Sequence, residues 1–192
     1  MGGWDIRAGV EAPDVFTYNP HINSWVQGPL LPFCALNMAA VEHAGCIYAC
    51  GGWPEGDHHP PNAALLMLDP RTRDWEVLPD MPAPAAEAGA AVVAGRLYMP
   101  GGTMLEGGSL ATMQCYDVVA GRWDTGCAPM LQARQCHGVA APRGEVWAVG
   151  GHAGEGQELT SVEVYSPRLN TWRRGVPLPT ACSGGTCTVV QS

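Results

Sequence analysis

Apolar positions fall in short runs of about four to six residues, each broken by glycine, proline, asparagine or aspartate. Residues 38–43 read as one strand, Ala44-Gly45 as a turn, and 46–50 as a second strand closed by Gly51-Gly52. After a polar loop, 64–69 form a third strand, Pro70 to Arg73 a turn, and 74–77 a fourth. The segment Leu78-Pro79-Asp80-Met81-Pro82 then excludes a helix or a central strand. The same order returns at 89–93, 96–100, 112–117 and 122–125, and again at 137–141, 145–149, 161–166 and 171–174. Four short strands with turn residues between them predict an antiparallel meander with no room for a helix.

The meander is one copy of a repeat. Gly-Gly pairs at 2–3, 51–52, 101–102 and 150–151 stand 49, 50 and 49 residues apart. A tryptophan follows each by 21 to 23 residues, at Trp25, Trp75, Trp123 and Trp172. A period of this length marks stacked structural units sharing a core. The units run over 1–36 (partial), 37–86, 87–135, 136–184 and 185–192 (partial). The first unit opens at its glycines and lacks its first two strands, and the last holds only a strand near 186–190. Three complete four-stranded sheets plus terminal pieces are therefore expected. They would form an open arc belonging to a longer ring, or else a compact four-bladed arrangement with one defective blade. An open arc would expose sheet edges, where copies of the chain could associate.

Three spaced features recur together: the Gly-Gly ending the second strand, an aromatic within that strand (Tyr48, Tyr98, Trp147), and the fourth-strand tryptophan. With the third-strand residues Tyr18, Leu68, Tyr116 and Tyr165, this pattern resembles the kelch repeat. The clearest copy runs from Val146-Trp147-Ala148-Val149-Gly150-Gly151 to Asn170-Thr171-Trp172. The resemblance implies an all-β, kelch-type β-propeller. It also implies a protein–protein interaction scaffold, like the substrate-binding region of a ubiquitin-ligase adaptor. The tryptophans of the repeat are expected to pack between blades, each contributing roughly 2–3 kcal/mol of burial.

Charge narrows the partners. Ten Lys and Arg face 18 Asp and Glu, for a net charge of −8, and the basic residues are dispersed. Nucleic acid needs clustered positive charge, so neither it nor an anionic membrane surface is expected. No window of 18 apolar residues predicts a membrane span. The eight cysteines do not recur with the repeat, which fits reduced thiols and a cytoplasmic setting rather than a disulfide framework.

In a propeller the loops joining second to third strands, and fourth strand to the next blade, share one face. Here these are 4–13, 53–63, 103–111 and 152–160, then 27–37, 78–87, 126–136 and 175–185. The first set carries Asp5, Glu11, Glu55, Asp57, Glu106, Glu155 and Glu158 against Arg7 alone. Complementarity to a basic partner segment is expected. The partner-contact candidates are Trp4, Asp5, Arg7, Trp53, Glu55, Asp57, His58, Glu106, Arg134, His152 and Glu155. Arg134 is placed among them because the resemblance puts an arginine just before the first strand; Leu36, Ala86 and Ser183 lie at or near the matching places. No metal, cofactor or catalytic residue is expected, since neither His58-His59 nor Cys46 with Cys50 makes a complete ligand set. The alternative is a small-molecule enzyme, a sugar isomerase or an oxidase-like protein, with His137 and His152 lining a central pocket. Ionisable side chains converging at the axis would favour it.

Overall fold

The computed structural model describes residues 2, 4–5, 10–54, 59–104, 108–154 and 156–189, with the backbone alone at 4–5 and 10–11. Three four-stranded antiparallel sheets follow one another along the chain. The first contains Ala39–His43, Cys46–Cys50, Leu65–Asp69 and Asp74–Leu78. The second contains Ala91–Val93, Arg96–Pro100, Met113–Asp117 and Arg122–Asp124. The third contains Gly138–Ala140, Val146–Val149, Val162–Ser166 and Thr171–Arg174. Each strand pairs with its sequence neighbour, so every sheet is a meander, as the pattern predicts. A two-stranded hairpin, Phe16–Asn19 with Ser24–Gln27, precedes them and supplies the outer half of a further blade.

Left-handed backbone recurs with the repeat. Ala44, Ala94 and Arg143 have φ of 51°, 49° and 55°, each followed by a glycine, at the turn between first and second strands. A second set is Asn37, Glu87 and Cys136, with φ of 55°, 58° and 50°, each just before an innermost strand. There the backbone joins blade to blade. The Glu87 N–H donates to the Asn37 carbonyl (3.1 Å), the Cys136 N–H to that of Glu87 (2.9 Å), and the Gly184 N–H to that of Cys136 (2.8 Å). The repeat's glycine pair serves the same junction: Gly51 has φ of 67°, and a Cβ there would fall on the Ala85 carbonyl oxygen.

The core lies between the sheets. Tyr98, Met113 and Cys115 of the second blade pack on Val146, Ala148, Tyr165 and Trp172 of the third. Tyr48, Cys50 and Leu65 of the first pack on Leu97, Met99 and Tyr116 of the second. The tryptophans lock these interfaces. The indole N–H groups of Trp75, Trp123 and Trp172 donate to the carbonyls of Pro29, Pro79 and Ala128 on the preceding unit, at 3.2, 2.7 and 2.9 Å.

Trp25 departs from expectation. It stacks on Tyr18 but is 69% exposed, because no described residue of a preceding unit covers it. Phe16 and Tyr18 on the same hairpin are 54% and 45% exposed. At the other end, residues 184–189 run alongside the third blade, with Cys187 against Gly138, but form no strand among the described residues. They occupy an innermost position and pair with no strand among the described residues.

Candidate functional site: the channel and its rim

The innermost segments line an open-sided channel of about 810 Å³, formed by equivalent stretches of successive units: 37–42, 87–92, 136–141 and 184–189. Its walls are mostly Ala, Gly, Val and Thr, because neighbouring backbones converge there. At Gly89 and Gly138 a Cβ would strike Val139 and Cys187 of the next unit. The channel wall itself therefore offers little chemistry, and polar groups gather at its rim.

The rim is where the two loop sets meet. Ala35–Leu36 pairs with Trp53–Pro54, and single bridges join Ala86 to Thr103 and Gln135 to His152. The residue after each glycine pair (Trp53, Thr103, His152) is thus held against the linker entering the same blade. Trp53 and His152 are half-buried there, and Thr103 is buried. Of the other expected contact residues, Arg7, Glu55, Asp57, His58, Glu106 and Glu155 lie outside the described residues. Trp4 and Asp5 are described only in their backbone, where they pair with Glu11 and Val10.

Arg134 is not a surface group. It is fully buried, and its guanidinium donates to Glu163 Oε1 at 2.6 Å, to the Gly150 and Ser161 carbonyls at 2.9 and 3.0 Å, and to Ser161 Oγ at 3.1 Å. Glu163 Oε2 in turn accepts from the Leu131 N–H at 2.7 Å. The pair ties the linker before the third blade to its second and third strands. The structurally matching positions are Ala35, Ala85 and Cys182, whose carbonyls, like that of Arg134, face the first glycine of each pair. These lie one residue before the places read from sequence.

Sequence reasoning missed the rim groups that do converge. Glu87 Oε2 accepts from Gln135 Nε2 at 3.1 Å and from the Cys136 thiol at 3.0 Å, and Glu87 Oε1 accepts from Asn37 Nδ2 at 3.2 Å. Burial first, then the Glu87 hydrogen bond and charge, push the Cys136 thiol up to about 12. Neighbouring His137 is buried, and burial followed by the Arg134 charge pushes it down to about 3. The missed signal was the repeat offset: 37, 87 and 136 are one structural position in three units.

Consecutive four-stranded meanders packed face to face around a channel define a β-propeller architecture. The chain matches the Kelch motif family over residues 34–82 and 133–179. It is 31% identical over 180 residues to Kelch-like protein 36 of Mus musculus, covering 88% of this chain and 28% of that protein. It is 25% identical over 229 residues to Kelch-like protein 23 of Homo sapiens, covering 95% of this chain and 40% of that one. The protein belongs to the kelch family, and it spans well under half the length of these relatives. The solved structure of YjhT superposes with a TM-score of 0.81 at 18% identity, over 97% of this chain and 69% of that one. That likeness concerns the fold alone.

Proposed function

We propose that this kelch array is a protein-interaction scaffold that docks a basic segment of its partner on the loop-bearing rim. The observation that carries this reading is the withdrawal of Arg134. The arginine expected on that face is buried and neutralised by Glu163, which leaves the carboxylates of the adjoining loops unopposed by it. A face with such a balance attracts cations at long range and repels acidic peptides. By likeness to the Kelch-like proteins, the partner would be a substrate presented for ubiquitin transfer in the cytoplasm. The uncovered face around Phe16, Tyr18 and Trp25 supports a second contact, between copies of the chain.

The Glu87–Cys136 convergence is the observation in favour of the enzyme alternative. Burial and the Glu87 hydrogen bond push its thiol up, however, whereas a nucleophilic cysteine has its thiol pushed down.

The test is affinity capture in low and high salt. Capture should be lost in high salt and in a Glu55→Gln, Asp57→Asn, Glu158→Gln variant. Recovery indifferent to both would reject the proposal. Sedimentation of Trp25→Ser against the parent tests self-association: equal monomer fractions at every concentration would reject that contact.

A further inference from the structure

Three ligand groups of different chemistry meet at one point of the rim. A Glu87 carboxylate oxygen, Cys136 Sγ and a His152 ring nitrogen all lie within 4.8 Å of one another, each residue half-buried. The backbone puts them there. Cys136 N–H donates to the Glu87 carbonyl at 2.9 Å, joining the two blades, and Gln135 and His152 exchange backbone bonds of 3.0 Å each. The same place one blade earlier holds Asn37, Glu87 and Thr103, only one of which is ionisable. The combination of sulfur, nitrogen and carboxylate is thus peculiar to this junction among the described residues.

We propose that Glu87, Cys136 and His152 bind one divalent ion of the zinc class at the channel mouth. Thiolate with imidazole selects such an ion over magnesium or calcium, which take all-oxygen sets. Metal–ligand bonds of about 2.0–2.3 Å place tetrahedral ligand atoms roughly 3.3–3.8 Å apart, so closing the site needs only side-chain rotation. Three protein ligands leave a fourth position open, for water or for a side chain of a bound partner. Supporting groups already stand behind the ligands. Gln135 and Asn37 hold the Glu87 carboxylate (3.1 and 3.2 Å). The Ser109 hydroxyl donates either to Gln135 Oε1 (3.0 Å) or to the His152 carbonyl (3.1 Å). Such outer contacts fix ligand orientation.

On binding, the Cys136 S–H bond breaks, its proton leaves to solvent, and the sulfur forms the metal bond. The thiol thus gives up one proton for each ion bound. The inference stands independently of the docking reading.

The experiment is titration of the reduced 192-residue chain with Co²⁺ by absorption, and with Zn²⁺ against a chromophoric chelator. One equivalent should bind, with a thiolate-to-cobalt charge-transfer band and release of about one proton. Cys136→Ala should abolish the band and weaken zinc binding at least ~10-fold. His152→Ala should weaken binding comparably while keeping the band. Cys46→Ala and Cys187→Ala should change neither, and circular dichroism should show each variant folded. Absence of one-equivalent binding, a band that survives Cys136→Ala, or one lost with Cys46→Ala or Cys187→Ala would overturn the proposal.

Discussion

Replacing Glu163 by alanine should be among the most damaging single changes in the third blade. Arg134 is wholly buried and Glu163 is 2% exposed, so neither charge is hydrated. Removing the carboxylate leaves the guanidinium with carbonyl and hydroxyl partners only, and leaves the Leu131 N–H without its acceptor. An uncompensated buried charge costs about 3–5 kcal/mol. In a chain of this size each kcal/mol moves the melting temperature by about 2–4 °C, so a fall of roughly 6–20 °C is expected. Urea and thermal unfolding should be run on Glu163→Ala, on Arg134→Met and on the two combined. The double variant should recover part of the loss, because removing both charged groups leaves no buried charge stranded. A loss below about 1 kcal/mol for Glu163→Ala, or strict additivity in the double variant, would refute the assignment of the pair as an interdependent buried unit.

Trp172→Ala should cost about 3–5 kcal/mol by urea unfolding, whereas Trp25→Ala should cost about 1 kcal/mol or less, since Trp25 is 69% exposed; equal losses would contradict the interface role. Gly51→Ala should destabilise clearly more than Gly45→Ala. Both carry positive φ, but only at Gly51 does the new Cβ meet a neighbouring carbonyl. The hydrogen bonds to Arg71 hold Asp69 at about 2. An NMR titration should therefore show Arg71→Gln raising it toward the ordinary carboxylate range. The folded-state value lies below the unfolded one, so the stabilising effect of the pair is present above the ordinary carboxylate value and fades as pH falls toward 2. An unchanged Asp69 titration would exclude the pairing.

The blade strands were legible to within a residue or two, because alternation, turn residues and glycines coincide in each copy. Cys46–Cys50 and Thr171–Arg174, for example, match their expected bounds. Trp25 shows where repeat logic fails: a residue's burial depends on the unit beside it, not only on its place in its own. Arg134 was placed on the binding face by the resemblance, yet its partner Glu163 lies 29 residues on, in a strand facing inward. The Glu87–Cys136–His152 cluster was hidden for a related reason. Glu87 belongs to the unit before that of Cys136 and His152, and the blade-to-blade backbone bond from Cys136 to Glu87 brings them together.

Site-specific photo-crosslinking tests the docking face most directly. A photoreactive residue at Trp53 on the rim is compared with one at Glu76 on an outer strand, in cells. Covalent protein adducts from the rim position, diminished by the Glu55→Gln, Asp57→Asn, Glu158→Gln changes and absent from the outer position, are the expected result. Adducts only from Glu76, or a rim that captures no protein, would contradict an interaction scaffold working through its rim.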